Sequence, residues 1–207
     1  MLKTIFNAIK ILKRQGRYTF LRGISKRHLY ARLQRNYGFD KWHIQPYELR
    51  PYAWDCVNYI NSLYKWENGG SVCEIGCGGD ITKNINMSQK FAFDVSKEAI
   101  NCAKMLDEKH NGHAIEFIVG SLDEALAHLP LKLDLLITLN FIHGIPPECL
   151  KEAYEKILHK IKISNIIVDT VNDYTYSHDF SLILPNWKIS KVIGVYADRK
   201  VLHLVVE

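Results

Sequence analysis

Beyond residue 70 the chain alternates between two hydrophobic patterns. Short runs that are mostly apolar, the mark of buried strands, fall at 71–75, 90–94, 115–119, 133–139 and 165–169. Between them the apolar residues recur every three or four positions. Ala99, Ala103 and Leu106 do so behind a capping Ser96, and Leu150, Tyr154, Ile157 and Leu158 do so behind Pro147, with a shorter helix predicted around 123–128. Two final β-rich runs, 187–197 and 200–207, are separated only by Asp198 and Arg199 and should pair as an antiparallel hairpin. Strands alternating with helices imply an α/β fold, a doubly wound and mostly parallel sheet of seven strands ending in that hairpin.

The first 70 residues follow another rule. Leu2, Ile5, Phe6, Ile9 and Leu12 lie at helical spacing with Lys3, Asn7, Lys10, Lys13 and Arg14 between them, a short basic amphipathic helix. Gly16 interrupts it. Gly23 and the residues up to Ser25 interrupt the next segment, so a second helix is predicted to start with Ser25 as its N-cap and to end at Gly38. Residues 39–47 read as an aromatic loop, and 51–66 as a helix stopped by Asn68, Gly69 and Gly70. The expected organisation is a basic helical N-terminal extension with its loop over 1–50 and an α/β domain over 51–207.

With 47% hydrophobic and 24% charged residues, 207 positions suffice for one core-forming domain plus this extension, and disorder is excluded. No apolar run reaches the roughly 18 to 20 residues that span a bilayer. Five cysteines in a chain of this length fit free thiols in a reducing compartment, hence an expected cytoplasmic location. The net charge of +5 conceals an asymmetry: residues 1–35 hold ten Lys and Arg and no acid, whereas the rest hold 17 bases against 22 acids. A basic arm on a mildly acidic body calls for a polyanionic partner.

Candidate chemistry gathers at the carboxyl ends of the strands, where open α/β sheets bind ligands. The first strand-to-helix turn runs Glu74, Ile75, Gly76, Cys77, Gly78, Gly79, Asp80, and its glycines let the backbone approach a ligand. The second strand ends in Asp94, about 20 residues on, where a carboxylate can accept both hydroxyls of a ribose. A dinucleotide would need a third glycine where Ile81 stands, and the acids Glu74 and Asp80 repel a pyrophosphate. Acids here suit a cationic nucleoside that carries an amino acid, which points to S-adenosylmethionine. Cys73 and Cys77 have no second pair of ligands nearby, so zinc is not expected.

Over 50–207 these residues resemble the class I S-adenosylmethionine-dependent methyltransferases. Glu74 to Gly79 is similar to their first motif, acid-x-Gly-x-Gly-x-Gly, Asp94 to their ribose-binding acid, 120–123 to their adenine-edge segment and 135–143 to their fourth motif. The resemblance implies a Rossmann-like methyltransferase fold with S-adenosylmethionine as cofactor, bound by Glu74, Gly76, Cys77, Gly78, Asp94, Val95, Ser121, Leu122 and Asn140. Trp42, His43, Tyr47, Arg50 and Tyr52 either pack beneath the arm or close over the cofactor, with Arg50 facing its carboxylate. The chain departs from the pattern at Gly79-Asp80, where the last glycine is displaced, and at Ser121, where an aspartate is usual. Asp169, Asn172 and Asp173 resemble the metal set of some O-methyltransferases, yet Asn140 stands where that set needs an acid, and no metal is expected. Within the family, Asn140 to His143 and the aromatic loop are most similar to the small sugar O-methyltransferases of bacterial surface-polysaccharide clusters.

A sugar hydroxyl is a poor nucleophile and needs a general base within hydrogen-bond reach. His143 follows the fourth strand and titrates near neutral pH, so it is expected to take the proton while Asn140 positions the acceptor. The segment lacks the Pro-Pro-aromatic or Pro-Cys of base methyltransferases, which argues against methylation of a nucleobase. His110, His113, His128, His159 and His203 are read as ordinary. Three functions remain open: O-methylation of a sugar or lipid-linked glycan in polysaccharide biosynthesis, RNA methylation with the arm on phosphates, and cofactor binding without turnover. Under the first, residues 1–35 are expected to hold the protein peripherally on an anionic inner membrane face; alternatively their apolar stripe packs on the body or on a second subunit.

Overall fold

Three helices precede the sheet in this computed structural model, which describes residues 2–40, 45–63, 69–76, 80–111, 114–172 and 174–207. Helices α1 (Leu2–Gln15) and α2 (Arg17–Tyr37) are separated only by Gly16. Helix α2 runs unbroken through Gly23, where the sequence predicts a fresh start at Ser25. The reason is tertiary: a Cβ on the buried Gly23 would lie 2.8 Å from Leu49 Cδ2 and 3.0 Å from Glu48 Cβ. The residue that weakens the helix locally is the one that lets it approach the 47–49 turn. Gly38 closes α2 in the left-handed conformation, its N–H returning to Gln34 O at 2.8 Å. Helix α3 (Pro51–Leu63) opens on a proline, whose fixed φ suits a first helical turn, and buries Ala53, Cys56, Val57 and Ile60.

The remaining elements alternate as the apolar runs predict. They are β1 (Ser71–Ile75), β2 (Gln89–Asp94), α4 (Lys97–Asn111), β3 (Glu116–Val119), α5 (Leu122–His128), β4 (Lys132–Leu133), β5 (Leu135–Thr138), α6 (Pro147–Lys160), β6 (Lys162–Ile163), β7 (Asn165–Val171), α7 (Phe180–Ile183), β8 (Trp187–Val195) and β9 (Arg199–Val206). The main sheet has seven strands in the order β3-β2-β1-β5-β7-β9-β8, and β9 alone runs opposite to the other six. The fourth predicted strand is broken at Asp134, whose carboxylate accepts from the N–H (2.9 Å) and Oγ (3.1 Å) of Ser71. Its first part, β4, pairs instead with β6 in a small parallel sheet.

Alternate residues of each strand face opposite layers. Ile75, Phe93, Leu136, Ile166 and Val168 pack with Leu126, Leu150, Tyr154 and Phe180 of the helices on one face. Val72, Leu135, Ile137 and Ile167 pack on the other face with Ala53, Val57 and Ile60. The N-terminal helices join this body. Tyr30, Leu33 and Phe39 bury against Ala99, Cys102 and Leu106 of α4, each large side chain contributing about 1.5–3 kcal/mol. Glu48, fully buried, receives Arg22 Nε at 2.9 Å and Lys26 Nζ at 2.6 Å, and Arg14 pairs with Asp55.

Candidate active site

Strand β1 lies between β2 and β5, so the chain leaves it in opposite directions and a cleft opens beyond the carboxyl ends of these strands. A cavity of about 520 Å³ occupies it, within the range of small-molecule sites. The described ends of the turn after β1, Gly76 and Asp80, line it. Gly76 has φ 73°, donates its N–H to Phe93 O at 2.9 Å, and would place a Cβ 2.5 Å from Phe141 Cβ. Only glycine meets both the left-handed backbone and the approach of Phe141. Cys77 and Gly78 lie outside the described residues, as do Trp42, His43, His113 and Asp173.

Two acids bracket this turn, and both are buried. Glu74 accepts from the N–H (3.0 Å) and Oγ1 (2.6 Å) of Thr82. Burial pushes its carboxyl above the usual range, against the pull of those hydrogen bonds and of Arg50. Asp80 accepts from Tyr30 Oη at 2.7 Å and from Tyr47 N–H at 2.6 Å, which ties α2 to the cavity wall. Asp94 reaches the cavity from the end of β2, with Oδ1 oriented by Ser96 N–H at 2.8 Å and the exposed Val95 beside it at the rim. Ser121 and Leu122 stand apart from the cavity lining. Ser121 is the N-cap of α5, where it exchanges hydrogen bonds with Glu124 in a complete capping box.

The opposite wall is a hydrogen-bonded cluster at the ends of β5, β7 and β9. Asn140 adopts φ 63°, the one positive φ among the described non-glycine residues. Such a conformation costs on the order of 1 kcal/mol or more, and three groups hold it. Its N–H donates to the Asp169 carboxylate (3.2 and 3.3 Å), its Nδ2 donates to Tyr52 Oη (2.7 Å), and its Oδ1 accepts from Arg199 Nη1. Arg199 also pairs with Asp169 at 2.8 Å and Asp198 at 2.9 Å, with its guanidinium carbon 4.1 Å from the Tyr52 ring centroid. Burial raises the Asp169 carboxyl, opposed first by Arg199. As a sequence, Arg199 is one half of a two-residue turn. Its place here comes from the β7–β9 register, which sets it opposite Val171.

His143 lines the same cavity from a short helical turn, with its ring 4.2 Å from that of Tyr174 and nearly perpendicular to it. Its Nδ1 is buried without a hydrogen-bond partner. Burial, then the positive Arg199, then His178 lower its pKa below the ordinary histidine value, so the imidazole is neutral at neutral pH. Arg50 donates from Nη1 to Tyr52 Oη (3.3 Å) and from Nη2 to Gln45 O (3.1 Å), which leaves its buried Nε without an acceptor. Cys56 and Cys73 are buried thiols held protonated by burial.

No protein-family model and no curated protein sequence matches the chain. Solved structures do. Magnesium protoporphyrin IX methyltransferase from Synechocystis PCC 6803, solved with bound SAM, aligns over 91% of this chain and 97% of its own, with a TM-score of 0.57 and 16% identity. The bifunctional kinase-methyltransferase WbdD aligns with a TM-score of 0.57 and 16% identity over 76% of this chain; that match spans 39% of WbdD. A protein from Pyrococcus horikoshii OT3 gives a TM-score of 0.63 at 12% identity, over 77% of this chain and 92% of that one. The fold is the Rossmann-like fold seen in the first two, which are methyltransferases.

Proposed function

We propose that the protein transfers a methyl group from S-adenosylmethionine to a hydroxyl of a sugar or lipid-linked glycan, as in surface-polysaccharide biosynthesis. The observation that carries this is the convergence, in one cavity, of Asp94, the unsatisfied Arg50 Nε and a neutral His143. The group fits the donor set: Asp94 suits a ribose diol, the spare N–H of Arg50 suits an amino-acid carboxylate, and the acids Glu74 and Asp80 suit a cationic centre. Gly76, with Cys77 and Gly78 after it, would carry the backbone past the ligand, while Val95 at the rim would edge the adenine. The solved neighbour with bound SAM supports the choice of cofactor.

When bound, S-adenosylmethionine supplies an electrophilic methyl group on a sulfonium. The chain contributes alignment, exclusion of water and removal of the acceptor proton. Asn140, locked by Tyr52, Asp169 and Arg199, positions the acceptor hydroxyl. His143, kept neutral by its surroundings, takes the proton of that hydroxyl onto a ring nitrogen.

Transfer of tritium from methyl-labelled S-adenosylmethionine to pools of free glycan, lipid-linked glycan and RNA tests this. Label should enter a glycan fraction, and His143→Ala should lower the rate by roughly 10²- to 10⁴-fold with cofactor affinity unchanged. Label in RNA alone would replace the acceptor class. Label in no pool would leave a cofactor-binding protein without turnover.

A further inference from the structure

Helix α2 carries arginine and lysine on all sides, yet its two faces differ in what becomes of the charge. At 100° per residue, Arg22, Lys26, Tyr30 and Leu33 share one side. That side is satisfied: Arg22 and Lys26 neutralise the buried Glu48, Arg22 Nη2 donates to Tyr47 Oη at 3.1 Å, and Tyr30 and Leu33 are buried. The opposite side presents Arg17, Leu21, His28, Arg32 and Arg35, with Tyr18 at its margin, all exposed to solvent. Tyr18 is 80% exposed and Leu21 63%.

Nothing among the described residues accounts for this outer face. Arg17, Arg32 and Arg35 have no carboxylate partner among the described residues, and the helix contains no acid with which to pair them. Arg32 and Arg35 are three apart on one face, where like charges weaken a helix. Tyr18 and Leu21, also three apart, hold large apolar surface in water in the midst of that charge. Arginines flanking an exposed tyrosine and leucine, on a helix about 30 Å long lying along the surface of the body, have the make-up of an interfacial helix. Helix α1 adds a further exposed apolar residue, Ile9, beside an exposed Lys13.

We propose that the outer face of α2 docks on an anionic lipid bilayer. The arginines meet the headgroup phosphates, and Tyr18 and Leu21 enter the boundary between headgroups and acyl chains, while the inner face stays clasped to Glu48 and α4. The partner is a bilayer and not a nucleic acid because the exposed leucine has no base-stacking or hydrogen-bonding role, whereas it gains from leaving water at a lipid boundary. This inference does not depend on the methyl-transfer reading, and its test uses no cofactor.

The experiment is co-sedimentation of the full chain with vesicles of phosphatidylcholine alone or of equal parts phosphatidylcholine and phosphatidylglycerol. The protein should partition onto the anionic vesicles only and should come off as salt rises. Arg17→Glu, Arg32→Glu and Arg35→Glu combined should lower the partition coefficient at least about 100-fold. Tyr18→Ser with Leu21→Ser should lower it about tenfold with every charge retained. These positions are exposed, so both variants should keep the circular dichroism spectrum of the parent. Equal partition onto neutral and anionic vesicles, or unchanged binding by the folded triple variant, would overturn the proposal. So would a single-stranded RNA oligomer that binds more tightly than the vesicles and is indifferent to the Tyr18 and Leu21 changes.

Discussion

A guanidinium and an imidazole in one cavity compete for positive charge, and here the guanidinium holds it. Burial first, and then Arg199, anchored by Asp169, Asp198 and Asn140, lower the His143 pKa below the ordinary histidine value. The turnover rate should therefore be flat at neutral pH and fall on the acid side, with an apparent pKa below the ordinary histidine value of about 6.5. A limb above 7 would assign the base elsewhere. Arg199→Lys keeps the charge and so should leave that limb in place. A single ammonium cannot hold Asn140 and both aspartates at once, and the misplaced acceptor site should slow turnover by up to about 100-fold. A shifted limb with unchanged turnover would contradict this. At this scale the sequence is legible where chemistry is local. Asp94, Asn140 and His143 end or follow strands, and all three reach the cavity. It is not legible for Arg199, whose role depends on a register 28 residues away, or for Ser121, whose hydroxyl is already engaged in capping α5.

Elements show the same division between local pattern and distant packing. The run 71–75 becomes β1 residue for residue, because a strand buried on both faces is written as a mostly apolar run, here with Glu74 as its one charge. Asp134 splits the next long run because of a partner, Ser71, that lies 63 residues earlier. Gly23 misleads in the other direction. Its replacement by alanine ordinarily strengthens a helix by about 1 kcal/mol. Here the new methyl would press on Leu49 and Glu48, and overpacking costs about 1–3 kcal/mol. Gly23→Ala should therefore lower the melting temperature by a few degrees; a rise would mean that α2 can step away from the 47–49 turn. At Gly76 the positive φ and the nearness of Phe141 act together. Gly76→Ala should weaken binding of S-adenosylhomocysteine at least tenfold, by about 1.4 kcal/mol or more, as read by calorimetry.

The whole molecule joins a basic arm to an acidic body through internal charge. Glu48 is buried beneath Arg22 and Lys26, and Asp80 in the cavity wall is held by Tyr30 of α2. A chain beginning at Asp40 would lose both ion pairs to Glu48 and would uncover the 47–49 turn that α2 now covers, a sizeable loss from a total stability of about 5–15 kcal/mol. It would also uncover the α4 side chains beneath Tyr30 and Leu33. Its thermal unfolding should lose cooperativity or shift down by ten degrees or so, and an unchanged melt would show the arm to be an appendage. Under the proposed function, sheet, turn and arm together enclose an S-adenosylmethionine site whose ribose acceptor is Asp94. Isothermal titration calorimetry with S-adenosylhomocysteine tests it most directly, with NAD as the competing ligand and Asp94→Ala as the variant. Saturable binding of S-adenosylhomocysteine, no binding of NAD, and a loss of at least about tenfold in Asp94→Ala are expected. Tight binding of NAD, or equal affinity of parent and variant for S-adenosylhomocysteine, would contradict it.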